Sequence, residues 1–563
     1  MTQAPTQAPT RAGRLSPGLD IDRAVPAMLA VLVAVPLLVF VLFPLSSILI
    51  MSFSTPDGLG LGNYVRYLEE PKFVQIVRNS LSVASCATAI TIVLAYGFAY
   101  AMNRSAMPLK GAFRLIALMP LFAPSLVQAL GVLFLLGRNG LINRTFDLGI
   151  DIYGFWGIVI SDVFYSFPHA FLILSAALAV GDARHYESAR MLGATGRRIF
   201  FTVTLPSTKY GLMSAIFVVF TIVITDFGNP MVIGGDYSVL ATEIYNQVSG
   251  QANFEMGAVI GMILLVPAAL AVLVERWVAR RSFSVIGDRY QPLAIGRSRR
   301  FDALMLGYAS LVCGGILAVV GIVVFASFAT LWPYNMSPSL KHYEFDVQNG
   351  LQPLWTSIWV SLMAAVIGIF FVLIGAYVVH KYRNWFTRCL YFLSILPAAV
   401  PGMVLGLGYI LAFNDPANPV YLIYGTLLIL AICNVYHYHA QGFLIATTSV
   451  KQISDTLDEA STSLGASFLR TMRRVTLPII WPSVVSVGVF FFVRSMVTLS
   501  AVIFLISPST QLAAVSVLLL DDAGNQNQAA AFSVCIMLVV AAALILFQLV
   551  LRLFGAPAVS LMK

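Results

Sequence analysis

Twelve long apolar stretches constrain this chain more than any other feature of its sequence. An α-helix needs about 20 apolar residues to cross roughly 30 Å of hydrocarbon, and every stretch reaches that length. With 59% hydrophobic and 10% charged residues in 563 positions, a water-soluble fold of this size is excluded. The stretches form two sets of six, at 25–51, 77–102, 112–136, 154–180, 210–233 and 257–276, and at 303–331, 355–380, 387–413, 420–446, 481–506 and 528–554.

This pattern predicts an all-α polytopic membrane protein with about 12 transmembrane helices in two six-helix parallel repeats. We expect a cytoplasmic tail at 1–24, a first transmembrane domain at 25–276, a cytoplasmic linker at 277–302 and a second transmembrane domain at 303–563. The first stretch is too long for the core of a signal peptide, and no small-residue cleavage pattern follows it, so we expect a retained helix.

The distribution of basic residues predicts the orientation of the chain. Most of the 34 Lys and Arg residues fall on one side if the N-terminus is cytoplasmic, which agrees with the positive-inside rule and places both termini in the cytoplasm. The same rule explains the net charge of +9 without any nucleic acid. Five cysteines lie in or beside apolar stretches, without the paired spacing of a disulfide or metal site.

The two halves align as an internal repeat. At an offset of 277, residues 118–124 match 395–401, both with two prolines one helical turn apart, and Gly131 matches Gly408. At an offset of 272, a second set of matches joins Glu187, Gly193, Leu205 and Pro206 to Glu459, Gly465, Leu477 and Pro478. Six crossings return the chain to its starting side, so the halves are expected to be parallel and related by a pseudo-twofold axis along the membrane normal.

The loop between the fourth and fifth stretches carries the most specific motif of each half. Its parts are a Glu with small neighbours, three residues, a Gly, nine residues and a Leu-Pro pair. The members are Glu187, Ser188, Ala189, Gly193, Val203, Leu205 and Pro206, repeated as Glu459, Ala460, Ser461, Gly465, Val475, Leu477 and Pro478. Small residues let a short helix sink into a groove on a partner, and the glycine ends the helix and turns the chain.

This motif resembles the EAA loop of binding-protein-dependent ABC importer permeases, with only similar-sized departures. The resemblance implies the type I importer permease fold, two copies of an ABC ATPase docked on the loops, and a periplasmic substrate-binding protein that delivers the solute. The chain contains no Gly-x-x-x-x-Gly-Lys-Ser/Thr phosphate loop. We therefore expect a non-catalytic subunit without a cofactor, whose partner ATPase binds ATP and magnesium.

The region 225–258 looks closest to fused permeases for 2-aminoethylphosphonate, which are related to ferric-iron permeases. That resemblance implies a small phosphonate as the imported solute, with ferric iron as the alternative. A secondary transporter driven by an ion gradient is a rival hypothesis, with Asp162 and Asp226 as ion sites. A channel or scaffold without pumping is another, but neither rival explains the duplicated loop.

Ionisable residues inside apolar stretches are candidate functional sites, since each costs several kcal/mol unless it faces protein or water. Arg494 lies near the centre of the eleventh stretch, and Asp226 in the fifth matches Thr498, one helical turn beyond Arg494. We expect these three residues near the translocation path. Arg494 and Asp226 could pair structurally, or both could meet a passing solute.

A second polar group surrounds Asp162, whose repeat counterpart is Asn434. Here we favour hydrogen bonds between helices over a functional site. The polar neighbours are Tyr165, His169, Tyr436, His437 and His439. His437 and His439 are two residues apart, which points them to different faces of a helix, so no metal site is predicted.

Overall fold

The computed structural model describes residues 21–282, 293, 296–345, 350–382, 384–451, 453, 455–464, 466 and 468–553. The predicted tail and linker lie in large part outside these residues. The helices on either side of the linker are longer than predicted: one extends to Ser282, and the next begins at Arg299.

The described residues of the two halves are almost entirely helical. The first half contains α1 (Ile21–Leu37), α2 (Phe43–Phe53), α3 (Gly62–Glu69), α4 (Pro71–Arg104), α5 (Lys110–Leu118), α6 (Ser125–Leu136), α7 (Leu141–Phe146), α8 (Phe155–Ala179), α9 (Ala183–Met191), α10 (Gly196–Ile199), α11 (Leu205–Ser207), α12 (Lys209–Ile224), α13 (Gly228–Ile233), α14 (Leu240–Tyr245) and α15 (Phe254–Ser282). The second contains α16 (Arg299–Phe328), α17 (Gln352–Lys381), α18 (Trp385–Ile395), α19 (Gly402–Phe413), α20 (Leu427–Val450), α21 (Asp455–Ser463), α22 (Phe468–Thr471), α23 (Leu477–Val497), α24 (Ala513–Asp522) and α25 (Gln526–Leu553).

Short irregular segments complete the description. Two antiparallel hairpins pair β1 (Ser54–Thr55) with β2 (Gly58–Leu59) and β3 (Ala329–Leu331) with β4 (Asn335–Pro338). Turns of 3₁₀ helix occupy Met119–Phe122, Lys341–Tyr343, Leu396–Ala399 and Pro419–Ile423, and π-helical turns occupy Leu38–Leu42, Phe200–Thr204, Asn246–Gly250 and Met472–Thr476.

The fold class predicted from the sequence is confirmed. In the described residues, ten helical segments are long and apolar enough to span a membrane, or up to twelve if two bent pairs each count as one span. The bent pairs, 196–224 and 385–413, turn by 67° and 109°. In each half the core lies where the second, fourth and fifth spans pack together, as α4, α8 and α12 and again as α17, α20 and α23.

The third span of each half is broken, which corrects the continuous helices expected at 112–136 and 387–413. Helix α5 ends in a 3₁₀ turn, and α6 begins only after Pro124. Ala123 before that proline is extended, with φ −126° and ψ 149°, because a proline ring disfavours the helical conformation of its predecessor and supplies no N–H. Pro401 produces the same break between α18 and α19.

The fifth span of each half ends earlier than expected from 210–233 and 481–506. Helix α12 stops at Ile224 and α23 stops at Val497. The breaks fall at matching repeat positions, so Asp226 and Thr498 both lie just beyond a helix end. Arg494 accordingly occupies the last turn of α23 and not the centre of a helix.

The first span of each half packs against the other half. Helices α1 and α2 contact α17 and α19, while α16 contacts α4, α5 and α6. The repeated glycines permit this approach. A Cβ on Gly131 of α6 would lie 2.6 Å from Val319 Cγ1 of α16, and one on Gly408 of α19 would lie 2.9 Å from the Pro44 carbonyl of α2.

Candidate functional site

The first motif loop is a helix with a defined cap at each end. Asp182 accepts a hydrogen bond from the Arg184 backbone N–H at 3.1 Å, which satisfies a free donor of the first turn of α9. Hydrogen bonds from the Arg184 side chain and then its backbone lower the pKa of Asp182 to about 2. At the other end Gly193 has φ +72°, a conformation that glycine adopts without steric cost.

Gly193 lies at the centre of a Schellman motif. Its N–H donates to the Arg190 carbonyl at 2.9 Å, and the Ala194 N–H donates to the Ala189 carbonyl at 3.0 Å. These two bonds satisfy carbonyls that the end of a helix leaves free. Because the Ala189 carbonyl accepts the longer of these two closures, the small residue and the glycine of the motif belong to one turn.

The second motif loop repeats this ending. The Ala466 N–H donates to the Ser461 carbonyl at 3.1 Å, the same six-residue closure at the offset of 272. Ala460 is exposed on α21. Gly465 and the side chain of Glu459 lie outside the described residues, so their roles stay predictions.

Both loops present exposed apolar side chains at their tips. Met191 is 89% exposed, Leu192 86% and Leu464 86%. Glu187 is also exposed. Leu464 is the repeat counterpart of Leu192, so a protruding leucine follows the motif helix in each half. An exposed apolar patch indicates a contact surface where a single exposed side chain does not, and Met191 with its neighbour Leu192 forms such a patch in the first loop.

Buried polar contacts connect the first loop to the spans. The Tyr186 side chain, 4% exposed, receives a hydrogen bond from Arg104 Nη2 at 3.3 Å and donates to Thr204 Oγ1 at 3.2 Å. Arg104 also donates to the Leu178 carbonyl at 2.7 Å. Thr204 ends the π-helical turn just before Leu205 and Pro206 open α11. These contacts join α9 to α4, to the end of α8 and to the start of the fifth span.

A second polar centre lies between the spans of the first half. Asn229 of α13 donates to Asp162 Oδ1 of α8 at 2.8 Å, and its backbone N–H donates to Asp226 Oδ2 at 2.9 Å. The Asp226 carboxyl also contacts Ser125 and Asp162. Asp162 is fully buried and Asp226 is 8% exposed. One asparagine therefore holds both carboxyl groups against α6.

The matching region of the second half contains no carboxylates. Asn434 of α20 donates to Ser495 Oγ of α23 at 2.7 Å. Thr498, in the position of Asp226, is 3% exposed, donates to the Arg494 carbonyl at 2.6 Å and contacts the Tyr438 hydroxyl at 3.0 Å. Hydrogen bonds therefore join helices at the same place in both halves, with different chemistry.

Pairing with Asp226, one of the two alternatives that the sequence leaves open for Arg494, is not seen in the structure. Among the described residues no ion pair involves Arg494. Instead, Arg494 Nη2 lies 2.9 Å from His169 Nε2 of α8, and the guanidinium carbon lies 5.6 Å from the centre of the Tyr438 ring. Asp226 is directed to Asn229 because α12 ends two residues earlier and turns the carboxyl towards the start of α13.

His169 is the residue that sequence reasoning placed in a polar region without giving it a partner. Its signal was its position seven residues after Asp162, two helical turns along α8 and thus on nearly the same face. Its partner lies 325 residues away in the other half. Only the packing of the halves could identify that contact.

The match to a known protein family covers part of each half of the chain. The profile of the family described as "Binding-protein-dependent transport system inner membrane component" matches residues 91–284 and 372–556. The ferric transport system permease protein FbpB of Actinobacillus pleuropneumoniae is 30% identical over 90% of this chain and 75% of its own length. A putative ferric transport system permease protein, FbpB 1 of Haemophilus influenzae, is 30% identical over 86% of this chain and 79% of its own.

A solved structure of a bacterial ABC transporter that imports the acidic polysaccharide alginate also matches one of its chains to part of this one. The match has a TM-score of 0.40 and 18% identity, and it covers 48% of this chain and 98% of that chain.

Proposed function

This chain belongs to the family of binding-protein-dependent transport system inner membrane components, and from that premise we propose that α9 and α21 each dock one copy of an ABC ATPase. The chain is a non-catalytic, multi-pass permease subunit of an ABC importer. ATP and magnesium then belong to the ATPase, and this chain supplies the docking helices and the path for the solute.

The exposed leucines at the tips of the motif loops support ATPase docking. Leu192 and Leu464 occupy the same repeat position and are each 86% exposed. Buried apolar contacts stabilise a protein interface, and two equivalent tips provide for two ATPase copies. Arg104, Tyr186 and Thr204 then carry the motion of the docked helix to the spans.

Charge substitution at both tips tests this docking. We expect Leu192→Glu with Leu464→Glu to reach the membrane but to lose co-purification with the ATPase, because each glutamate would have to be desolvated in the interface. Leu109→Glu is the matched control, since Leu109 is 71% exposed in the loop between the second and third spans. Undiminished co-purification of the double variant would refute the docking role.

The same proposal implies an orientation for the permease. The ATPase is cytoplasmic, so the motif loops and both termini lie in the cytoplasm, as the Lys and Arg distribution predicts. The substrate-binding protein then delivers the solute to the opposite, periplasmic side of the inner membrane.

We propose a small anionic or zwitterionic phosphonate, such as 2-aminoethylphosphonate, as the cargo. Arg494 is the observation that carries this: a guanidinium between the halves without a carboxylate partner among the described residues. An unbalanced cation attracts phosphonate oxygens, to which guanidinium groups donate in parallel pairs. The resemblance of 225–258 to 2-aminoethylphosphonate permeases agrees with this charge.

Ferric iron is the second candidate, because the relatives named above are ferric transport permeases. The guanidinium would repel a bare trivalent cation, so iron would have to pass as an anionic chelate. A deletion strain separates the two cargoes. Loss of growth on 2-aminoethylphosphonate as sole phosphorus source supports the phosphonate. Retained growth on it, with failure on ferric iron, would assign the permease to iron.

Arg494, Asp226 and Thr498 are our candidates for the translocation path. We expect Arg494→Ala to abolish uptake at matched membrane levels and Arg494→Lys to keep part of it, because lysine retains the charge without the planar fork. Asp226→Ala and Thr498→Ala, alone and with Arg494→Ala, measure the contribution of their positions. Full uptake by Arg494→Ala would remove Arg494 from the mechanism.

A further inference from the structure

We propose that His169 and Arg494 form a latch between the two halves of the permease, which an anionic oxygen of the cargo opens by replacing the imidazole as acceptor of the guanidinium. This inference rests on the proposed import of an anion and adds His169 to the residues that determine specificity. The hydrogen bond between these side chains is the observation that carries it.

The latch joins two helices that belong to different halves. His169 lies on α8 and Arg494 in the last turn of α23, and the 2.9 Å bond connects positions 325 residues apart. Both side chains are only partly buried, and the proposal requires their accessible surface to face the solute between the halves. Importers of this kind open and close by moving one half against the other, and such movement must break or form this bond.

The hydrogen bond determines the protonation of the imidazole. A guanidinium has only donors, so Nε2 of His169 must accept and carries no proton. Nδ1 then carries the proton. His169 is therefore neutral and leaves the positive charge of Arg494 unbalanced.

The other polar groups around Arg494 do not neutralise it either. The Tyr438 ring lies beneath the guanidinium, and Thr498 donates a hydrogen bond to the Arg494 carbonyl. Tyr165 and His437 lie close enough for electrostatic interaction with Arg494. The Asp226 and Asp162 carboxyl groups accept hydrogen bonds from Asn229. Nothing among the described residues supplies a counter-charge in contact with the guanidinium.

An anionic oxygen is a better acceptor for this group than a neutral imidazole. Hydrogen bonds between two ionised partners are shorter and stronger, and a phosphonate can accept two parallel bonds where the imidazole accepts one. The exchange also neutralises a charge in a low-dielectric interior. His169 thus competes with the cargo for Arg494, which keeps the halves joined until an anion arrives.

A double-mutant cycle on basal ATP hydrolysis tests the latch without any cargo. The complete permease and ATPase complex is reconstituted in nanodiscs without binding protein. We expect His169→Ala and Arg494→Ala each to raise basal hydrolysis, and the double variant to rise no further, because both changes remove one bond. His169→Gln should stay near wild type, since its amide oxygen can accept from the guanidinium. Additive effects, or no rise, would overturn the latch.

Titration with methylphosphonate tests the competition. We expect His169→Ala to bind this probe about tenfold more tightly than wild type, because a competing acceptor is gone, and Arg494→Ala to bind it at least about tenfold more weakly. His437→Ala is the control and should bind as wild type does. Weaker or unchanged binding by His169→Ala would overturn the proposal, since a direct ligand or a purely structural histidine gives those results.

These experiments can refute the latch and the phosphonate cargo independently of each other. If the cycle and the titration behave as expected while the deletion strain still grows on 2-aminoethylphosphonate, the latch stands and the assigned cargo is wrong. If the strain requires this permease for 2-aminoethylphosphonate but His169→Ala changes neither readout, the cargo stands and the latch is refuted.

Discussion

Asn229 holds two buried carboxyl groups within one hydrogen-bonded cluster. Asp162 accepts from the Asn229 side-chain amide, and Asp226 accepts from the Asn229 backbone N–H. An amide in place of the Asp162 carboxyl would keep an oxygen acceptor for Asn229 and remove an ionisable group from the buried cluster. The cluster is therefore more tolerant of an added amide than of the loss of Asn229.

We expect Asp162→Asn to keep the stability of the permease. We expect Asn229→Leu to lower its free energy of unfolding by about 3 kcal/mol, because the buried Asp162 carboxyl loses the side-chain amide that donates to it. Thermal unfolding of the two purified variants in detergent measures this. Equal melting temperatures would show that Asn229 does not support the carboxyl groups.

Each half contains a close contact between a serine and a glycine, and the two residue types have exchanged places between the halves. A Cβ on Gly228 would collide with Ser125 Oγ, and one on Gly402 would collide with Ser500 Oγ. The repeat offsets match Ser125 with Gly402 and Gly228 with Ser500. Each half therefore needs one glycine at this crossing of the third and fifth spans, but either partner can provide it.

A swap tests this complementarity. Gly228→Ser alone should lower the melting temperature, since overpacking of a close contact costs about 1–3 kcal/mol. Adding Ser125→Gly should recover part of the loss, although the contact between Ser125 and Asp226 disappears. A double variant less stable than Gly228→Ser would contradict the exchange of roles.

At the scale of elements, the end of α9 depends on the backbone of one glycine. Space is not the constraint, because a Cβ on Gly193 would have no atom within 4 Å. The constraint is φ of +72°, which costs other residues about 1–2 kcal/mol. Gly196, three residues on, has equally open surroundings without the positive φ.

We expect Gly193→Val to reach the membrane but to reduce ATPase co-purification and transport-linked ATP hydrolysis. Valine disfavours the positive φ at this position, so the turn that ends α9 and exposes its tip would be disturbed. Gly196→Ala is the control and should behave as wild type. The double variant Gly193→Val with Gly465→Val extends this test to both motif loops. Normal ATPase co-purification and normal transport-linked hydrolysis in the double variant would rule out the glycine turns as the origin of docking.

Helix α24, between the last two spans, ends in a carboxyl that burial disfavours. Desolvation and then repulsion from Asp522 raise the pKa of Asp521 from its ordinary value of 3.8 to about 7. The folded state therefore binds more protons than the unfolded state between these two values. Stability falls as pH rises through this window and stays low above it.

Asp521→Asn should remove that dependence. We expect the variant to melt a few degrees above wild type at pH 8 and at nearly the same temperature at pH 4, since the wild-type carboxyl is mostly protonated in the folded state there. Melting curves of both proteins from pH 4 to pH 8 measure this. A constant difference across the range would show that the carboxyl is not the cause.

The sequence predicted the number and order of spans because apolar length is a local property. It did not predict their breaks: Pro124 and Pro401 were visible, but a proline kinks some helices and ends others. It also brought Arg494 near Asp226 by assuming an unbroken fifth span. Helix α12 stops at Ile224 and α23 at Val497, so helical periodicity no longer predicts where the polar side chains beyond these residues point. The partner of Arg494 is therefore His169 and not Asp226.

At the scale of the whole molecule, Gly131 and Gly408 lie where the first span of each half packs against the other half. We expect Gly131→Leu to weaken the contact of α6 with α16 and to lower stability by about 1–3 kcal/mol or more, because Val319 backbone and side chain leave no room. Gly307→Leu is the control, since that glycine of α16 has open surroundings. Equal melting temperatures of the two variants would contradict this packing.

The exchange of first spans also sets an order of events during synthesis. Helix α16 leaves the ribosome after its partner α6 is complete, whereas Pro44 of α2 must wait for Gly408 of α19. At about 5–20 residues per second, that wait lasts on the order of 20–70 seconds. During this interval α2 lies in the membrane before α19 has been made to cover its packing face. A chaperone or translocon that binds the early helices would therefore protect α2 longest.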